Sequence, residues 1–275
     1  MVRVQSARAH IYIIALIAVA VSALIIAHVG SDKERCNVWM TYKVKQGLPE
    51  LQKFCYESWI DMNPEYNVHM YDDADIDKQI RNKDLPRALP AVFESMPLPV
   101  MKADIWRYCV VYLNGGIYSD SDNACVVPIA KWNDREQQNK YDVIITLEPW
   151  KTGLFQQWCL VSNVKKHPLF KIAIDLILER SSEGIDTSNN SPDRYGFVHY
   201  HTGPTLFSDA VKLYVNPDDY HLDADEFVQR NVDRFKEKRI RIMNRNSFLS
   251  GYTMHFMNGF NDWKDTLKKE YADND

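Results

Sequence analysis

The stretch KADIWRYCVVYLNGGIYSDSD, Lys102 to Asp122, constrains the fold more than any other part of this chain. Met101 to Leu113 has helical spacing, with apolar Ile105, Trp106, Val110 and Leu113. Asn114-Gly115-Gly116 stops that helix, because glycine readily takes the left-handed backbone that closes a helix C-terminus. Ile117-Tyr118-Ser119 reads as a short strand, and Asp120-Ser121-Asp122 stands at its end. The remaining periodicities agree with an α/β domain. Strands are expected at Asn37–Tyr42, Tyr66–Tyr71 and Tyr141–Leu147, and helices at Leu48–Asp61, His167–Arg180 and Thr205–Tyr214. Such alternation predicts a largely parallel sheet flanked by helices. Pro86, Pro90, Pro97 and Pro99 exclude a continuous helix over Pro86–Pro99.

Ile11 to Val29 is 19 residues without Asp, Glu, Lys or Arg. At about 1.5 Å per residue it can cross a hydrocarbon core about 30 Å thick. It exceeds the apolar part of a cleaved signal peptide and lacks a good cleavage site behind it. Arg3 and Arg8 precede it, which predicts a cytosolic tail at 1–10, a signal anchor at 11–29, a short stem at 30–36 and a lumenal domain at 37–275. The expected protein is a single-pass type II membrane protein of the Golgi or endoplasmic reticulum. A net charge of −4 gives no electrostatic case for nucleic acid. Seven Trp, 15 Tyr and 11 Phe supply more aromatic surface than a core requires, and sugars or bases can stack on the remainder. Of five cysteines, Cys109 and Cys125 lie in apolar runs and read as core thiols, while Cys36 and Cys55 have the option of pairing.

Asp-x-Asp occurs five times, at 73/75, 75/77, 120/122, 223/225 and 273/275. Only Asp120 and Asp122 follow an apolar strand, where residues i and i+2 point the same way. Ligands of open α/β sheets bind at the C-terminal ends of strands, and a hard cation there takes carboxylate oxygens and shares them with phosphates. The other four pairs read as solvated surface acids. Upstream, Asp104 and Arg107 are three residues apart and share a helix face, with apolar residues anchoring the others.

Together these residues carry a resemblance. The ordered pattern A-D-x-x-R … G-G-x-Y-x-D-x-D resembles glycosyltransferase family 32, which includes fungal Golgi initiating α-1,6-mannosyltransferases and α-galactosyl and α-N-acetylglucosaminyl transferases. The large clostridial glucosylating toxins share the motif. VWMTYK (Val38–Lys43), ESWIDMNPEYNVHMYDDADID (Glu57–Asp77), His167-Pro168 and Thr202-Gly203-Pro204 are similar to further family segments in the same order. The family's late H-x-x-x-G-S-W is met only in part by His255, Gly259 and Trp263.

The resemblance implies a GT-A type nucleotide-diphospho-sugar transferase fold, a Rossmann-like mixed sheet flanked by helices. It implies a metal-dependent enzyme that moves a hexose or N-acetylhexosamine, with retention and an α-linkage. The donor is a UDP-sugar or GDP-mannose, and the acceptor a glycan, glycoprotein or glycolipid. Thr41, Tyr42, Asp104, Arg107 and Asp120 are the implied donor contacts. Asp120, Asp122 and His255 are the implied ligands of Mn²⁺ or Mg²⁺, and Gly203, Asn258 and Trp263 the implied acceptor or lid residues. The competing expectation is a non-catalytic, anchored carbohydrate-binding or assembly subunit on the same fold.

Overall fold

The computed structural model describes residues 36–132, 140–150, 152–182, 184, 185, 187 and 196–257. The expected anchor at 11–29, the tail before it, the stem up to residue 35, and Asn258 and Trp263 lie outside these residues. Among the described residues no helix is long and apolar enough to cross a membrane.

The strands are β1 (Asn37–Thr41), β2 (Asn67–Tyr71), β3 (Gly116–Ser119), β4 (Asn123–Cys125), β5 (Val143–Thr146), β6 (Cys159–Ser162), β7 (Ile240–Met243) and β8 (Thr253–His255). Six of them form one sheet in the order β2-β1-β3-β6-β5-β7, and β4 pairs with β8 apart from it. The helices are α1 (Glu50–Met62), α2 (Asp73–Ile80), α3 (Leu89–Ser95), α4 (Pro99–Asn114), α5 (Pro168–Ser181), α6 (Gly196–His201), α7 (Pro204–Val215), α8 (Ala224–Arg230) and α9 (Val232–Glu237). Every element expected from the sequence is present within a few residues. These elements belong to one compact unit that begins at Asn37.

The sheet is mixed and parallel-rich, as expected. β1 runs parallel to β2 and β3, and β5 to β7, but β6 is antiparallel to both β3 and β5. β6 is four residues long and buried throughout, so it shows no alternation to read. The proline-rich stretch contains α3, which has Pro90 in its first turn, and Pro99 opens α4. Both sit where a missing N–H breaks no helical hydrogen bond.

Period-two alternation splits the sheet between two apolar layers. Val38, Met40, Ile117, Ile144 and Val161 face α1 residues Cys55 and Trp59. Trp39, Tyr118, Val143, Ile145 and Leu160 face α4, α5 and α7. α4 connects to β3 through Gly115 and Gly116, at φ 65° and 87°. A Cβ on Gly116 would stand 2.5 Å from the Asn37 carbonyl oxygen, so β3 can lie beside β1 only with glycine there. The Trp39 indole locks the turn by donating to the Gly115 carbonyl at 2.8 Å.

Candidate metal centre and its buried support

β3 delivers Asp120 to the sheet edge, and a tight turn carries Asp122 to the start of β4. Backbone bonds fix both. Asp120 N–H donates to the Trp158 carbonyl at 2.9 Å, Asn123 N–H to the Asp120 carbonyl at 3.1 Å, and Phe256 N–H to the Asp122 carbonyl at 2.9 Å. Antiparallel pairing of β4 with β8 sets His255 opposite Asn123. His255 Nε2 thereby stands 3.1 Å from Asp122 Oδ1 and 3.8 Å from Asp120 Oδ2. Its ring stacks on Trp158 with centroids 4.9 Å apart and planes 10° from parallel.

One donor atom from each of Asp120, Asp122 and His255 falls within 4.8 Å of the others. Neither buried ring nitrogen of His255 has an aligned hydrogen-bond partner among the described residues. Burial disfavours a charged imidazole, but the two carboxylates outweigh it and lift the His255 pKa to about 9. Two carboxylates and an imidazole nitrogen fit a hard or borderline divalent cation such as Mg²⁺ or Mn²⁺.

Behind this cluster lies a buried ion network. Arg107 Nη2 donates to Asp104 Oδ1 at 2.9 Å and reaches Asp120 Oδ1 at 3.2 Å. The guanidinium lies over the Tyr118 ring at 4.9 Å, and the Tyr118 hydroxyl donates to Asp120 Oδ1 at 2.5 Å. Asp104 also accepts from Thr202 Oγ1 at 2.8 Å and Gln157 Nε2 at 3.2 Å. The Tyr108 hydroxyl is shared between Gln157 Oε1 and the Thr202 carbonyl.

The sequence places Asp104 and Arg107 on one helix face, and the structure buries that face. Asp104 is 1% and Arg107 5% exposed, because α4 is enclosed by β3, α5 and the turn at Thr202. Burial pushes the Asp104 carboxyl up to about 7, against the opposing pull of Arg107, Thr202 and Gln157. Burial works against the Arg107 charge as well, yet Asp120, Tyr118 and Asp104 hold its pKa above the usual arginine range. Arg107 Nε is buried without a hydrogen-bond partner among the described residues.

Thr41 and Tyr42 lie at the C-terminal end of β1. Since β1 and β3 are parallel, this is the edge at which Asp120 emerges. Thr41 Oγ1 donates to the Tyr71 carbonyl at 3.1 Å. Gly203 caps α7, and a Cβ there would stand 2.8 Å from His199 Cα, which gives this glycine a packing reason. Tyr118, Gln157, Trp158 and Thr202 join the site without a sequence signal of their own for that role. Tyr118 and Thr202 sit inside the matching motifs, whereas Gln157 and Trp158 lie in a segment without periodicity.

Two other Asp-x-Asp regions cap helices instead of lying free on the surface. Asp72 and Asp75 form a reciprocal capping box on α2. Asp223 caps α8 by accepting from Glu226 N–H at 2.9 Å, and Asp225 pairs with Arg245. The 273/275 pair lies outside the described residues. All five thiols are free, with Cys36 exposed and Cys55, Cys109, Cys125 and Cys159 buried.

Comparison with known proteins agrees with this geometry. Residues 49–139 match the family described as glycosyltransferase sugar-binding region containing DXD motif. The chain is 26% identical to the initiation-specific alpha-1,6-mannosyltransferase of Candida albicans, over 66% of this chain and 53% of the relative. It is 33% identical to inositol phosphoceramide mannosyltransferase 2 of Schizosaccharomyces pombe, over 32% of this chain and 24% of the relative. The match thus spans about half the length of the Candida protein and less of the other. Among solved structures, PaToxG Glycosyltransferase superposes with a TM-score of 0.50 at 15% identity, covering 78% of this chain and 84% of that one. That likeness shows a shared fold.

Proposed function

We propose that this chain, a homologue of the initiation-specific α-1,6-mannosyltransferases that carries the DXD sugar-binding region, is a metal-dependent, retaining glycosyltransferase. One observation carries the reading. His255, distant in sequence, converges with the neighbouring Asp120 and Asp122 into a cation cradle at the sheet edge, braced from behind by Arg107. The names of the relatives point to mannose as the transferred sugar, which favours GDP-mannose over a UDP-sugar. The acceptor is a glycan, glycoprotein or glycolipid.

In this reading Asp120, Asp122 and His255 hold Mn²⁺ or Mg²⁺, with His255 as a neutral ligand. The cation supplies positive charge against the diphosphate that departs with the nucleotide. Arg107, fixed by Asp104, presents its remaining guanidinium N–H groups to the donor. Thr41 and Tyr42 line the nucleoside side. Asp104 is already held by Arg107, Thr202 and Gln157, and the other two acids would be committed to the cation. None of the three is left as a covalent nucleophile. The acceptor hydroxyl therefore attacks the anomeric carbon on the leaving-group face and passes its proton to the departing phosphate oxygen. The bond between anomeric carbon and phosphate oxygen breaks as the α-glycosidic bond forms. For Asn258 and Trp263 the acceptor or lid role is the one that the family resemblance implies.

An anchor at 11–29, on the type II topology expected from Arg3 and Arg8, would set this chemistry in the lumen of the Golgi or endoplasmic reticulum. Hydrolysis of GDP-mannose and UDP-sugars by the purified full-length chain, with Mn²⁺ and with EDTA, tests the reading. Metal-dependent release of one sugar is expected. Binding of nucleotide-sugar without turnover would favour the non-catalytic alternative.

A further inference from the structure

We propose that Trp150 is the acceptor platform of this enzyme, a flat surface on which the hexose receiving the transferred sugar stacks. The inference rests on the transferase reading and adds a subsite to it. Trp150 is 58% exposed, the most exposed large apolar side chain among the described residues. Its ring centroid lies 6.4 Å from that of Trp158. Trp158 in turn stacks on His255, and its carbonyl accepts from Asp120 N–H. Trp150 therefore stands one aromatic ring away from the metal cluster.

The loop that carries Trp150 is braced. Leu147 and Phe155 form an antiparallel bridge at its base, and Glu148 N–H donates to the Leu154 carbonyl at 2.9 Å. Thr152 Oγ1 donates to Glu148 Oε2 at 2.6 Å, and Arg245 donates to the Glu148 carbonyl. An exposed tryptophan on such a base offers a broad, flat apolar face, which suits it to holding a flat ligand face. Two other exposed aromatics have partners that do not lead to the cluster. Phe54 packs edge-on against Phe256 at 6.2 Å, and Arg180 covers the Tyr200 ring at 4.2 Å.

The strand order assigns the side. β3, which delivers Asp120, has β1 on one flank and β6 followed by β5 on the other. The nucleoside belongs over β1, beside Thr41 and Tyr42. Trp150 follows β5, on the opposite flank, so a sugar stacked there approaches the anomeric carbon from the acceptor side. Its apolar ring face offers no charge, which fits a neutral hexose better than a phosphate group.

The test is steady-state transfer from GDP-mannose to α-1,6-mannobiose and to methyl α-mannoside, with wild type, Trp150→Ala and Trp150→Phe. Stacked rings lost to alanine typically cost about tenfold or more in binding. Trp150→Ala is expected to raise the acceptor KM by about that factor, with the donor KM moving less than about twofold, and Trp150→Phe to recover much of the loss. An unchanged acceptor KM in Trp150→Ala overturns the proposal, and so does a parallel rise of both KM values. A wild type that hydrolyses donor but transfers to neither sugar overturns it too, and makes Trp150 a contact for another partner. A wild type without donor hydrolysis removes the transferase reading beneath it.

Discussion

Asp120-Ser121-Asp122 and Asp223-Ala224-Asp225 are the same pattern with opposite fates. The first sits where β3 ends, with β8 crossing to bring His255 against it. The second sits where α8 begins, so Asp223 accepts a backbone N–H and Asp225 pairs with Arg245. One pair gains an imidazole nitrogen beside both of its carboxylates, while the other caps a helix and pairs with an arginine. What distinguishes them is the chain that arrives from elsewhere. The first pair joins a three-residue cluster because the topology brings His255 to it.

The largest effect should separate the two pairs directly. Asp122→Asn keeps the shape but removes a charge from the cradle, and transfer should fall on the order of 10²–10³-fold, as for loss of one transition-state electrostatic contact. Melting should hold, because the backbone bond from Phe256 to Asp122 is untouched. Next comes Arg107→Lys. Lysine cannot span Asp104 and Asp120 with a planar fork, so transfer should drop tenfold or more and stability by about 1–3 kcal/mol. Thermal melts beside transfer rates would check this, and wild-type values in both would show that the buried network does not support the cluster. Asp223→Ala should cost about 0.5–2 kcal/mol through the lost cap of α8, with turnover kept. Asp223→Asn should be nearly silent, since asparagine caps as well as aspartate.

A separate effect, on stability alone, sets the pH at which these comparisons are clean. His167 caps α5 through Nδ1, and burial lowers its pKa from 6.5 to about 4. A depressed histidine contributes stability fully above pH 6.5 and loses it as pH falls toward 4, because the unfolded chain takes up the proton first. Tm should therefore decline over that window, and His167→Asn, which keeps a capping side chain, should flatten the decline. An equal slope in the variant would assign the acid sensitivity to other groups.

The run from α4 through the glycine turn to β3 was legible because each part has its own local signal. Helical spacing, a glycine stop and a short apolar strand needed no tertiary context. The burial of Arg107 was not legible, since a charged residue on a helix reads as solvated until α5 and Thr202 are known to close over it. β4 and β8 are three residues each and carry no periodicity, yet their pairing makes the cluster. His255 entered the site only through family resemblance. Gln157 and Trp158 gave no signal because a loop side chain acquires its role from what it meets. The reversed β6 was hidden for a related reason, as strand direction depends on the route of the preceding loop.

Binding of Mn²⁺ to the purified full-length chain tests the account most directly, measured by titration calorimetry on wild type, Asp122→Asn and Asp223→Asn without nucleotide. The account predicts one site in wild type and in Asp223→Asn, and a loss of affinity of tenfold or more in Asp122→Asn, in parallel with EDTA-sensitive turnover. Equal Mn²⁺ affinity in Asp122→Asn and wild type would contradict it, as would turnover indifferent to EDTA.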